Sequence, residues 1–286
     1  MGKKKHRPEP TSFQMEPIGV DTHAHLDLDA FDADREEVLA RSIASGINRI
    51  GNVFLGPTAY ARGKSLFDAY PGVFFLLGIH PHDAASCTAD SLDALREAFI
   101  SDSRLRALRE IGLDFYYDRS PRGIQITVLQ EQLVLAKELD LPVAIHSREA
   151  EEDVLRIMAD LGFMDRKVLW HCFGGTAEMA ERIVGYGWTL SIPGTVTFRK
   201  NKTLQDAVAR IPSENLVLET DCPFLSPEPY RGKRNEPAFT VFTAGKIAEI
   251  RGEDVETLWR KCAQNAFRFF SLEDGDDDAP GKRTGS

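Results

Sequence analysis

Short apolar runs and amphipathic stretches alternate eight times along this chain, and that alternation restricts the fold more than any other feature. Strand-like runs cover residues 19–25, 47–55, 73–79, 105–113, 141–145, 168–170, 188–192 and 216–218. Between and after them, residues 29–45, 57–70, 90–101, 123–139, 149–161, 176–186 and 202–210 carry the helical period, and 239–270 predicts one or two closing helices. Strands that alternate with helices form a parallel sheet, because each crossover helix returns the chain to the same edge. Eight such units in about 250 residues match a single-domain (β/α)8 barrel. An open doubly wound sheet is the alternative, but no Gly-x-Gly-x-x-Gly follows the first strand.

Polar residues fall where such a barrel carries its chemistry, at the carboxyl ends of the strands. Six of the seven histidines lie there, all but His6. His23 and His25 end the first strand, His80 and His82 follow the third, His146 ends the fifth and His171 the sixth. Strand residues two apart face the same way, so His23 and His25 are able to close on one ion. Glu110 lies late in the fourth strand and Asp221 ends the eighth. Any one histidine in such a position is ordinarily a core or surface residue; their joint placement points to a metal centre. Four imidazoles (His23, His25, His146, His171) with two carboxylates (Glu110, Asp221) exceed the needs of one zinc ion and suit two divalent ions about 3.5–4 Å apart. Ligation by nitrogen and oxygen suits Mg, Mn or Zn.

Charge and composition narrow the function classes. The chain has 286 residues, 42% hydrophobic and 28% charged, with a formal net charge of −9. That balance argues against broad attraction to a polyanion. Five of the negative charges sit in the tail stretch 273–278, which reads as disordered, and carboxylates that hold metal ions would be neutralised by them. No apolar run approaches the roughly 20 residues of a membrane helix. Residues 1–17 hold Lys3, Lys4, Lys5 and Arg7 without an apolar stretch behind them, and read as a flexible basic leader rather than a secretory signal. Cys87, Cys172, Cys222 and Cys262 are scattered, as expected of reduced thiols in the cytoplasm. By strand parity Cys172 and Cys222 would face the helices.

Six ordered motifs now carry a family resemblance: Thr22-His23-Ala24-His25-Leu26-Asp27, Gly78-Ile79-His80-Pro81-His82, Glu110-Ile111-Gly112-Leu113-Asp114, Val143-Ala144-Ile145-His146-Ser147-Arg148, His171-Cys172-Phe173 and Glu219-Thr220-Asp221. Together they resemble the TatD family of metal-dependent deoxyribonucleases, among the amidohydrolase-like barrels, over residues 18–271. The resemblance implies hydrolysis of DNA phosphodiester bonds by two-metal activation of water, with 3′ to 5′ removal of nucleotides from single-stranded ends. It implies that His23, His25 and Asp221 hold one ion, that His146 and His171 hold the other, and that Glu110 bridges them. Asp221 would also take the proton of the attacking water, with Glu219 assisting. His80 and His82 would stabilise the phosphate. The loop Arg231-Gly232-Lys233-Arg234-Asn235 would clamp the DNA backbone through Arg231, Lys233, Arg234 and Asn235. Phe115, Tyr116 and Tyr117 would either stack on bases or pack the barrel rim.

Two positions depart from the family pattern. Arg109 stands where the family usually has Gly before the bridging Glu, and by alternation Arg109 is expected to point away from the metals. Gly174 stands where a Ser often follows His-Cys-Phe, removing one hydroxyl near the substrate. Two other functions remain open at this level. A hydrolase of a small amide, ester or lactone would use the same metal cage without the basic loop at 231–234. A metal-holding module without turnover would lack a base.

Overall fold

The computed structural model describes residues 7–272. Eight strands form one sheet in chain order: β1 (Gly19–Ala24), β2 (Ile47–Leu55), β3 (Val73–Gly78), β4 (Leu105–Asp114), β5 (Val143–Arg148), β6 (Val168–Trp170), β7 (Thr189–Ile192) and β8 (Leu216–Leu218). Every neighbouring pair is parallel. Closure comes just past β8, where Ala24 bridges Cys222, Asp221 N donates to His23 O at 2.9 Å and His25 N donates to Cys222 O at 2.9 Å. The protein is therefore the single-domain (β/α)8 barrel that the alternation predicts.

The helices are α1 (Arg35–Ala44), α2 (Pro57–Gly63), α3 (Ala89–Ser101), α4 (Arg122–Glu138), α5 (Glu151–Asp160), α6 (Ala177–Gly185), α7 (Lys202–Val208), α8 (Thr240–Arg251) and α9 (Val255–Phe270). Their starts follow local chemistry. The Thr88 side chain accepts from Ser91 N in a capping box at α3, and Asp254 accepts from Thr257 N at 2.9 Å at α9. The stretch 29–45 is shorter as a helix than the pattern suggests, because a 3-10 turn at Asp29–Phe31 precedes α1. No helix among the described residues is long and apolar enough to cross a membrane.

Two apolar layers result from the strand period of two. Val20, Val53, Phe74, Leu76, Ala107, Ala144, Leu169 and Val217 fill the barrel as one cluster with Ala263, Ala266, Phe269 and Phe270 of α9. Intervening residues such as Phe54, Phe75, Leu77, Ile145 and Trp170 belong to the layer between strands and helices. The helix α9 lies across the amino end of β8, where Asn265 Nδ2 donates to Ser213 O at 2.6 Å and Leu216 O at 2.8 Å. One mouth of the barrel is thus closed by side chains, and chemistry is left to the other.

The basic leader needs a correction over its described part. Residues 7–17 pack on the barrel instead of extending from it. Arg7 Nε donates to Pro229 O at 2.9 Å, Phe13 meets Phe242 edge-on at 5.2 Å, and Trp259 Nε1 donates to Glu16 O at 2.9 Å. The apolar residues Phe13 and Met15 supply the reason, which a count of lysines conceals. Residues 1–6 and the acidic stretch 273–278 lie outside the described residues.

Gly112 has a specific duty in β4. Its φ is +151°, and a Cβ there would stand 1.8 Å from the carbonyl oxygen of His146 on β5. No rotamer relieves a clash with backbone. Gly112→Ala is expected to destabilise the fold by about 3 kcal/mol, the upper range of overpacking, read as a lower urea midpoint by circular dichroism.

Candidate metal centre

Six strand ends deliver the predicted ligands to one place at the open mouth. His23 Nε2 and His25 Nε2 are 2.9 Å apart, and Asp221 Oδ1 lies 3.5 Å from the first and 3.6 Å from the second. Glu110 stands in the middle. Its Oε2 is 3.6 Å from His23 Nε2, while its Oε1 meets His146 Nδ1 at 2.7 Å and His171 Nε2 at 3.1 Å. Ligand atoms of His23, His25 and Asp221 all lie within 4.8 Å of one another, as do those of His23, Glu110 and His171. A further group, His80, Glu110 and His146, meets the same limit, with His80 Nε2 at 3.6 Å from Glu110 Oε1.

Supporting side chains aim these rings. His146 Nε2 faces Asp114 Oδ2 at 3.3 Å, and His171 Nδ1 faces Glu219 Oε2 at 2.9 Å. Each carboxylate accepts the ring hydrogen and leaves the opposite nitrogen bare toward Glu110, which is the carboxylate–histidine pattern of metal sites. His25 Nδ1 does the same with Val53 O at 3.0 Å. His80 differs: its Nδ1 accepts from His82 N at 3.1 Å, so neutral His80 carries its hydrogen on Nε2 and is an N–H donor toward the centre. His82 Nε2 donates to Asp114 Oδ2 at 2.8 Å.

The backbone under the rings is pinned from α4. Gln132 Oε1 accepts from Ile79 N at 2.7 Å and its Nε2 donates to Ile79 O at 3.0 Å. Two helical turns away on the same face, Gln125 Oε1 accepts from Asp114 N at 2.8 Å and Nε2 donates to Asp114 O at 3.1 Å. Each buried amide completes a strand end as another strand would. Asn52 Oδ1 accepts from Leu26 N at 2.7 Å beside His25. Asp21 accepts from Thr220 Oγ1 at 2.6 Å and Thr220 N at 2.9 Å, tying the Asp221 loop to β1. Burial, opposed by those hydrogen bonds, pushes the Asp21 carboxyl up to about 7.

Electrostatics follow the contacts. Although burial opposes it, His171 and His80 hold the Glu110 carboxyl well below its usual range. Burial likewise opposes the shift at His171, but Glu219 and Glu110 push it up to about 10. His23 moves the other way: burial, then the neighbouring His171 and Arg109, lower it well below an ordinary imidazole. The donor set fits divalent ions, since bare ring nitrogens from different strands converge on one buried carboxylate with their other nitrogens occupied.

Four expectations are corrected. Arg109 does not point away from the centre. It is fully buried, and its Nε donates to His23 Nδ1 at 3.0 Å, while Nη2 donates to the same nitrogen and to Glu219 Oε2 at 3.1 Å. Arg109 keeps the inward parity of Ala107, and a register shift between Leu108 and Ile111 against β5 turns Glu110 inward as well. Cys172 does not face the helices: with φ at +47° its thiol joins His171 and Asp221. Arg234 is spent on Asp34, with Nη1 and Nη2 donating at 2.8 and 2.6 Å. Asn235 is buried, its Nδ2 donating to Thr220 O at 2.8 Å and Phe224 O at 2.6 Å. Neither is free to hold a substrate; both shape the loop behind Asp221. Arg231 and Lys233 are exposed, and Arg231 lies over the Phe198 ring at 4.2 Å.

Asp114, Gln125, Gln132 and Asn52 carry positions that the reading of the sequence left without a role. For Asp114 the signal was available, an acidic residue at the end of a strand. For the amides, only burial separates them from ordinary helix or strand polar residues.

Comparison with known proteins agrees with this geometry. Residues 20–271 match the profile of the family described as TatD related DNase. The chain is 38% identical over 252 residues to the uncharacterized metal-dependent hydrolase YabD of Bacillus subtilis, covering 88% of this chain and 98% of that protein. It is 34% identical over 262 residues to the uncharacterized metal-dependent hydrolase TatD of Mycobacterium tuberculosis, covering 88% and 98%. The crystal structure of YJJV, a TatD homologue from Escherichia coli, superposes with a TM-score of 0.84 at 29% identity, covering 90% of this chain and 99% of that one.

Asp114 offers the cleanest separation of ligand from support. Asp114→Ala leaves the Glu110 group intact and removes the partner of His146 and His82. Affinity for Mn is expected to fall about 10–100-fold, the cost of losing such a partner, as measured by calorimetric titration of the full chain.

Proposed function

This chain belongs to the TatD family of metal-dependent hydrolases, and we propose that it hydrolyses DNA phosphodiester bonds with two divalent ions, Mg, Mn or Zn. The observation that carries the two-ion reading is the position of Glu110, whose two oxygens face different imidazole groups. His23, His25 and Asp221 would hold one ion and His146 with His171 the other, with Glu110 between them. Bound there, divalent ions acidify a water and neutralise the charge that develops on phosphate.

The chain's own residues supply the rest. Asp221, its side chain 17% exposed, is open enough to take a proton from water. His80 would donate Nε2–H to a phosphate oxygen, since its Nδ1 is already an acceptor. Glu219 acts through His171 and Arg109 and stays away from the water. His82 acts through Asp114.

DNA is favoured over a small ester by the rim. Arg231 and Lys233 are exposed beside the centre's β8 loop. Across the mouth, Arg148 lies over the rings of Tyr116 at 4.0 Å and Tyr117 at 4.5 Å, and those rings are about half exposed. Tyr117 also meets His82 edge-on at 5.5 Å, and Phe224 meets His25 at 6.4 Å while 55% exposed. Cations with open aromatic faces suit a single strand, whose bases stack and whose phosphates need countercharge. The family supports removal of nucleotides from 3′ ends. Four free cysteines are consistent with a cytoplasmic setting.

A labelled single-stranded oligonucleotide tests this directly. With Mg or Mn, a ladder shortening from the 3′ end is expected, abolished by EDTA and reduced about 10³-fold in Asp221→Asn, within the range for loss of a general base. Absence of cleavage by metal-loaded protein would transfer the same centre to a small ester, amide or lactone.

The basic pair has its own signature. Arg231→Ala and Lys233→Ala are each expected to raise KM roughly tenfold without lowering kcat, and to reduce the salt slope of binding by about one. Fluorescence anisotropy across a salt series measures it; unchanged slopes would assign the loop to solvent.

A further inference from the structure

Arg109 is a full-length cation set inside a centre that is built to receive cations. Its side chain is 0% exposed. The guanidinium cannot accept a hydrogen bond, so its contacts with His23 Nδ1 through Nε and Nη2 fix that nitrogen as the acceptor. Neutral His23 therefore carries its hydrogen on Nε2. That hydrogen points to His25 Nε2, 2.9 Å away, which is bare because His25 Nδ1 donates to Val53 O. The chain of donors from Arg109 through His23 and His25 to Val53 is complete without an ion.

The other side of the centre is arranged in the opposite sense. His146 and His171 turn their hydrogens to Asp114 and Glu219 and leave bare nitrogens at Glu110. The two hydrogens of Arg109 Nη2 are accounted for by His23 and Glu219, so the 2.8 Å approach of Nη2 to His171 Nδ1 does not disturb that pattern. The positive charge is also unevenly placed, in direct contact with His23 but not with His146 or Asp221.

We propose that Arg109 makes the two ion positions of this centre unequal: it holds His23 in the tautomer that opposes an ion at His23, His25 and Asp221, and leaves Glu110, His146 and His171 as the position that fills first. An ion at the weaker position must displace the Nε2 hydrogen of His23, or Arg109 must release Nδ1. Either requirement adds to the repulsion between the guanidinium and a divalent cation. Arg109 is a positioning residue acting through His23. The inference rests on the metal-centre reading above and goes beyond it in assigning an order of loading.

Calorimetric titration of the full-length, chelator-treated chain with Mn tests it. Wild type is expected to bind one ion tightly and a second at least tenfold more weakly. In Arg109→Met, of similar length and no charge, the gap is expected to close by about tenfold or more; Arg109→Gln serves if the Met variant does not fold. Long-range proton–nitrogen NMR of the metal-free wild type is expected to report His23 as the Nε2–H tautomer. Two equal sites in wild type, an unchanged gap in a folded variant, or an Nδ1–H tautomer at His23 would each overturn the inference while leaving the metal centre standing. No binding of Mn at all would overturn both.

Discussion

One carboxylate organises the open mouth of this barrel. Glu110 is almost completely buried, yet imidazoles from β1, β3, β5 and β6, or from the loops they enter, approach its two oxygens. A buried carboxylate without such partners would be a severe cost. With them, it is the point on which separate strands agree. The agreement depends on β4, where the register shift against β5 brings Arg109 and Glu110 inward together and Gly112 lets the backbone of β5 pass close by. A regular strand would have presented one of the two and hidden the other.

Closure of the barrel depends on a second polar network. The strand β8 is short, and the segment just past it is held to β1 by backbone bonds from Asp221 and His25 and by Asp21 gripping Thr220. Asn235 then fastens the returning loop to Thr220 O and Phe224 O, and Glu236 pairs with Arg41 of α1 through two hydrogen bonds of 3.0 and 2.8 Å. These residues look like a basic, polar loop offered to a ligand. Most of that polarity is consumed in placing Asp221, a buried duty with a larger energetic penalty for omission than a solvated contact would carry.

The sequence is legible where one residue decides one position. Eight alternating units require a barrel, and a histidine at a strand end lies at the mouth whatever its neighbours do. Legibility fails where two residues share a decision. The inward turn of Arg109 cannot be read from alternation, because alternation is what the shift in β4 suspends. The commitment of Arg234 to Asp34 requires knowing that α1 comes alongside, and the role of Gln125 and Gln132 requires knowing that α4 covers two strand ends. Residues 7–17 are a similar case, since their anchors are Phe13, Met15 and a carbonyl that meets Trp259, none of which a basic composition announces.

Net charge alone would set this chain against a polyanion, but the distribution of charge reverses the conclusion at the mouth. Glu110, Asp114, Glu219 and Asp221 supply negative charge at the barrel end, with Arg109 as an internal counter-ion to Glu219. Without added cations that concentration of carboxylates would repel a phosphate. With divalent ions the same groups become the means of attracting one, and the exposed Arg148, Arg231 and Lys233 act on a field that is already positive. Affinity for a nucleic acid is thus coupled to metal occupancy by charge alone, before any particular contact is considered. A permanent cation at Arg109 enters this balance twice: it lessens the repulsion felt by a phosphate and weakens the attraction felt by an ion. Its burial beneath the rings, rather than at the rim, decides between the two. At contact distance from His23 it acts chiefly on the ions, and the phosphate above feels it only through them.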